Sequence, residues 1–174
     1  MIQRYSRGVT RLALLISLTA LALLPASAAA KPAVCNRTVI QDALIAAGKL
    51  TQDDLRFGPG VDLVRCHDVT NDDRIDAVFT VGSGGTAGDT HFGVLLGRDD
   101  GSSGKLALYR SGYNVGVSVR SRRVFETIQP HYKGHDPNCC PSSFRIRRFT
   151  WTGDHFKRGQ ARKVKHAPKR FYKP

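Results

Sequence analysis

From Asp62 onward the chain is cut by turn residues into short apolar runs, and this punctuation restricts its fold more than any other feature. The candidate strands are Asp62–His67, Asp76–Gly82, Thr90–Gly97, Lys105–Arg110, Val115–Val119, Val124–Gln129, Phe144–Trp151 and His155–Arg158. Between them fall Asn71-Asp72-Asp73, Gly84-Gly85, Asp99-Asp100-Gly101, Gly112 with Asn114, and Thr152-Gly153-Asp154, the residue types that turn chains. Strands at this spacing, with no helical stretches between them, predict an antiparallel meander of about seven to eight strands rather than repeated βαβ units. In Phe144-Arg-Ile146-Arg-Arg-Phe149 the alternation places Phe144 and Ile146 on the core and the arginines outward. It shifts by one after Arg147-Arg148, which predicts a bulge there.

Before the strands, Val39, Ile40, Ala43, Leu44 and Ala47 recur at three- and four-residue spacing. They predict one helix over Cys35–Gly48, capped by Asn36 or Thr38, stopped at Gly48 and packed over the sheet. The fold class is thus α+β, predominantly β, with one N-terminal helix.

The first thirty of the 174 residues have the form of an export signal. Arg4, Arg7 and Arg11 precede a 13-residue apolar run, Leu12 to Leu24, and Ala28-Ala29-Ala30 supplies the small residues of a cleavage site. That run is short of the ~20 residues of a spanning helix, and no later segment approaches its length. Residues 31–159 then form a single β-rich domain, expected as a monomer in the secreted or periplasmic space, and residues 160–174 read as a basic mobile tail. The four cysteines, Cys35, Cys66, Cys139 and Cys140, all lie beyond the signal, and an oxidising compartment favours two bridges over free thiols.

Charge is placed unevenly. From Lys31 to Phe144 there are 13 basic and 13 acidic residues, whereas Arg145 to Pro174 carries 11 basic residues and only Asp154. A neutral body with a basic end points to an anionic partner met by that end. The residues expected to meet it are Arg158, Arg162, Lys163, Lys165, Lys169, Arg170 and Lys173. For an exported protein, anionic envelope polymer or lipid headgroups fit better than nucleic acid, although Phe156, Phe171 and Tyr172 among the basic residues would also suit stacking on bases. A solvated tail with no specific partner is the competing reading.

The segment from Asp68 to Asp76 places side-chain oxygens at Asp68, Thr70, Asp72 and Asp76, positions 1, 3, 5 and 9 of a calcium loop, with the Arg74 carbonyl at position 7. Asp73 stands where such loops turn left-handed on glycine, a conformation aspartate tolerates better than most residues. Two readings stand: a metal-free hairpin turn, and a weak calcium site that would be the chain's one cofactor.

This opening resembles the acidic turn of FG-GAP and VCBS-like β-units. Together with Ser83-Gly-Gly-Thr-Ala-Gly-Asp89, Asp136-Pro-Asn-Cys-Cys-Pro-Ser142 and Phe149-Thr-Trp-Thr-Gly153, it is similar to the LppP/LprE-like family of exported bacterial envelope proteins. The resemblance covers about residues 62 to 156 and implies a small β-rich envelope domain without naming an activity. Pro32-Ala33-Val34 before Cys35 does not make the lipidation box that many relatives carry. Cys35 is expected to bridge Cys66, pinning the helix to the first strand. Cys139 is expected to bridge Cys140, a pairing for which the Cys-Cys-Pro-Ser element is the reason.

Other constellations are weaker. Gly82 to Gly88 lacks the Gly-Lys-Ser/Thr ending of a phosphate loop and reads as a flexible loop between strands. His131, His135, Cys139 and Cys140 could be drawn as a zinc set, but adjacent cysteines suit one ion badly. No nucleophile elbow or His-Glu-x-x-His motif is present. Glu126, the sole glutamate, is expected to face solvent. The leading expectation is a secreted or periplasmic, non-enzymatic envelope-associated protein. Its rivals are a secreted hydrolase with unidentified carboxylates and a calcium-dependent binding module.

Overall fold

A computed structural model describes residues 31–137 and 139–172. The residues read as an export signal, together with Asn138, Lys173 and Pro174, lie outside them.

The polypeptide begins with a turn of 3-10 helix, Ala33–Cys35, and helix α1, Arg37–Ala46. The Asn36 side chain caps α1 by accepting from the Thr38 N–H at 2.9 Å, and Gly48 follows in the left-handed region. A second helix, α2 (Gln52–Phe57), went unread in the sequence. Its signal was a capping box: Thr51 Oγ1 accepts from the Asp54 N–H while the Asp54 carboxylate accepts from the Thr51 N–H.

Eight strands follow: β1 (Pro59–His67), β2 (Asp76–Ser83), β3 (Asp89–Gly97), β4 (Ser103–Ser111), β5 (Gly116–Ser121), β6 (Val124–His131), β7 (Ser143–Trp151) and β8 (Phe156–Val164). They form two antiparallel four-stranded meanders, β1-β2-β3-β4 and β5-β6-β7-β8. The predicted meander is therefore present, divided in two.

The sheets pack face to face. Leu63, Val78, Phe92, Val94 and Leu108 from the first sheet meet Val117, Phe125, Phe149 and Phe156 from the second. Phe125 stacks on Phe149 with ring centroids 4.9 Å apart, and Phe92 and Phe156 meet this pair edge-on. The outer face of the first sheet is covered by Val34, Ile40, Leu44 and Leu50, packed on Val61, Phe79, Val81 and Leu95. Cys35 is bonded to Cys66 of β1, so a covalent link ties the helical layer to the sheet as expected. Cys139 is bonded to Cys140.

Three expectations need correction. The basic segment beyond residue 159 is not a loose tail from its start: β8 runs to Val164, and Phe171 is fully buried with Ile128 and Ile146 on the outer face of the second sheet. The bulge after Arg147-Arg148 is not in β7. That strand pairs with β6 in unbroken register, and the irregularity lies in its pairing with β8, where Arg147 faces Ala161 but Phe149 faces Arg158. Strict alternation then puts Phe144 and Ile146 on the outer face under Phe171, and Arg145, Arg147 and Phe149 on the face toward the first sheet. Finally, Glu126 is 3% exposed rather than solvent-facing. It shares the outer face with Arg148, its cross-strand partner.

Candidate anion-binding cleft

Where the aromatic core between the sheets ends, the space opens as a cleft of about 600 Å³. Phe92 and Phe149 form its apolar floor, and Arg110, Arg145, Arg147 and Arg158 line its walls with Tyr109, Ser111, Thr127 and Gln129. Register places them there. Phe92 is opposite Arg110 in the first sheet, and Thr127 and Gln129 are opposite Arg147 and Arg145 in the second. The same faces that bury phenylalanine at one end thus present arginine at the other.

Among the described residues, none that lines the cleft is acidic. Burial first, and then the neighbouring Arg158 and Arg145, press the Arg147 guanidinium below its ordinary value. It keeps its charge, since guanidinium does not deprotonate in proteins. Arg147 Nη1 donates to the Gly159 carbonyl at 3.0 Å, which fixes its direction. Arg145 Nη2 lies 3.1 Å from His131 Nε2. Desolvation, then Arg145 and Lys163, hold the His131 imidazole below its usual range, so it is neutral at pH 7 and can accept from the arginine. The result is a concave, uncompensated cationic surface with hydroxyl and amide groups among the charges, which suits an oxyanion-bearing ligand.

Of the residues expected to meet a polyanion, Arg158 lines this cleft and Lys163 stands across from Arg145. Arg162 and Arg170 are turned to the opposite face, toward Glu126. Lys165 and Lys169 are exposed beyond β8. Arg110, Arg145 and Arg147 were missed as binding residues because only strand pairing brings them together.

In the acidic loop the carboxylates are held by backbone amides and guanidinium groups. Asp68 is buried and its carboxylate accepts from four successive amides, those of Thr70, Asn71, Asp72 and Asp73, at 2.5–3.2 Å. Asp76 is fully buried and accepts from Val69 N–H, Gly97 N–H and the Thr70 hydroxyl. Asp72 turns outward to Arg74, and Arg122 pairs with Asp68 at 3.0 Å and with Asp73. Asp73 takes the left-handed conformation, with φ 65°, as the spacing required. Thr70 sits between Asp72 and Asp76, but among the described residues no three acidic, histidine or cysteine side chains are placed to hold a metal ion. The Asp68, Asp72 and Asp76 carboxylates are engaged instead by backbone amides, the Thr70 hydroxyl and the guanidinium groups of Arg74 and Arg122. Millimolar Ca²⁺ is therefore expected to leave the melting temperature unchanged. An increase that Asp72→Ala abolishes would restore the calcium reading.

The zinc set is likewise not assembled, since both cysteines are in a bridge and His131 faces Arg145. Gly82 to Gly88 closes the β2–β3 hairpin through Ser83 N–H and the Gly88 carbonyl. Among the described residues no helix is long and apolar enough to cross a membrane. Comparison with family models, curated proteins and solved structures finds no match. The likeness to LppP/LprE-like proteins rests on the motifs quoted above.

Proposed function

We propose that this is an exported, non-enzymatic envelope protein that holds a segment of anionic polymer in the arginine cleft. The observation that carries the reading is the convergence of Arg110, Arg145, Arg147 and Arg158 on one concave surface with no carboxylate among the described residues that line it. A recessed site fits a chain segment entering it better than the flat face of a bilayer. The export signal and the Cys35–Cys66 bridge support an oxidising, extracytoplasmic setting.

The test is binding of the purified protein to linear polyphosphate, with vesicles containing anionic lipid as a parallel probe. Arg145→Ala combined with Arg147→Ala is expected to weaken polyphosphate binding by on the order of a hundredfold or more, since each charge-assisted contact contributes roughly 1.5–3 kcal/mol. Wild-type affinity should fall steeply between low and physiological salt. Undiminished binding by the double variant, or indifference to salt, would exclude the cleft. Stronger binding to vesicles than to polymer would move the partner to lipid headgroups.

A hydrolytic reading has one observation in its favour. Asp89 is raised above the usual carboxylate range, first by burial and further by Asp62, against a hydrogen bond from Thr80. Neither carboxylate lines the arginine cleft, so this reading stands second.

A further inference from the structure

Glu126 is the chain's only glutamate, and four guanidinium groups surround it. Arg170, from the C-terminal turn Lys169–Phe171, approaches Oε2 at 3.2 Å. Arg120 of β5 lies 3.8 Å from the same oxygen, and Arg148 of β7 and Arg162 of β8 each lie 3.8 Å from Oε1. One negative charge thus faces four positive ones. Only the Arg170 contact is within hydrogen-bonding distance, because 3.8 Å is beyond the reach of an N–H···O bond.

This excess is open to solvent on one side. Arg148 and Arg162 have side chains 62% and 55% exposed, and with Glu126, Ile146 and Gly159 to Ala161 they line a cleft of about 360 Å³. It lies on the outer face of the second sheet, with that sheet between it and the arginine cleft. A carboxylate has lone pairs for about four donors, whereas each guanidinium brings five N–H groups. Glu126 can therefore hold four like charges together without satisfying them.

We infer that this cluster is a second anion site, which takes a tetrahedral oxyanion of the phosphate or sulfate class between Arg148 and Arg162. The Glu126 carboxylate sits against the same guanidinium groups and competes with the oxyanion for them. The oxyanion supplies the acceptors that the lone carboxylate lacks. The site is independent of the proposed polymer cleft, because its arginines come from alternate positions facing the opposite way.

Titration calorimetry of the whole protein with inorganic phosphate, repeated with sulfate, tests the assignment. Wild type is expected to bind at the outer cluster, and Arg148→Ala with Arg162→Ala to remove that event. These side chains are largely exposed, so the double variant should fold. Arg145→Ala with Arg147→Ala should leave the outer event in place, which separates this site from the cleft. Glu126→Gln should tighten phosphate about tenfold by removing the competing negative charge. The inference is overturned if wild type binds neither anion, if the Arg148/Arg162 variant binds phosphate like wild type, or if a folded Glu126→Gln protein binds it more weakly. Should Glu126→Gln fail to fold, the double arginine variant decides alone.

Discussion

Replacing Asp76 with alanine is expected to cost about 3–5 kcal/mol of folding stability, measured by urea unfolding at pH 7. The side chain is fully buried, and its two oxygens accept from Val69 N–H, Gly97 N–H and Thr70 Oγ1–H at 3.0–3.1 Å. Alanine would strand all three donors, each at roughly 1–3 kcal/mol. Gly97 must remain glycine, because a Cβ there would collide with the Ile75 carbonyl oxygen. Asp76 thereby joins the acidic loop, the start of β2 and the end of β3. Burial is the largest influence on its carboxyl and pushes it above the usual range, despite the three hydrogen bonds. The part of its contribution that depends on protonation is then complete below the ordinary carboxylate value and declines as pH rises through the raised one, while the three hydrogen bonds set the larger cost of alanine. Asp76→Asn should accordingly cost no more at pH 8 than at pH 4. A loss below 1 kcal/mol for Asp76→Ala would show that the loop is not anchored this way.

Phe171→Ala should be nearly as damaging, at about 3–5 kcal/mol, the usual cost of deleting a buried phenylalanine. The ring is fully buried between Ile128 and Ile146, with Phe144, Val164 and Ala167 around it. Tyr172 adds a hydrogen bond from its hydroxyl to the Asn114 carbonyl at 3.1 Å. For a domain of this size the melting temperature should fall by roughly 10 °C, which calorimetry would register. Removal of residues 165–174 should be at least as costly. An unchanged melting temperature after either alteration would mean that the C-terminal segment is not packed as described.

These two residues also mark what could and could not be read from the sequence. The strands and turns were legible because Gly, Asn and Asp clusters interrupt β-branched and aromatic runs at regular intervals. The α1 cap and its stop at Gly48 were equally local. Phe171 was hidden in a stretch of lysines and arginines, where a single aromatic carries no periodic signal. Local composition suggested disorder, but the ring is anchored by residues some 25 and 43 positions earlier in the chain. Glu126 was misjudged for a related reason. Its neighbours Phe125 and Thr127 identify one buried face, and the burial of its own face depends on Arg120, Arg148, Arg162 and Arg170 converging from elsewhere. The arginine cleft joins strands from two sheets, so a charge count could place the basic half of the chain but not the concavity. In the acidic loop the spacing of oxygens was visible, and the guanidinium groups that answer them were not.

The last strand has a consequence of a different kind. β8 borders the second sheet, and among the described residues no strand pairs with its other side. A bare strand border invites another chain to add itself, and two identical molecules could join edge to edge. From Lys157 to Lys163 this border is exposed and carries Lys157, Arg158, Arg162 and Lys163 without one acidic side chain. A second molecule approaching in the same way would bring the same charges against them. The positive charges of this border would repel an identical border, and a ligand that neutralised them would remove that repulsion.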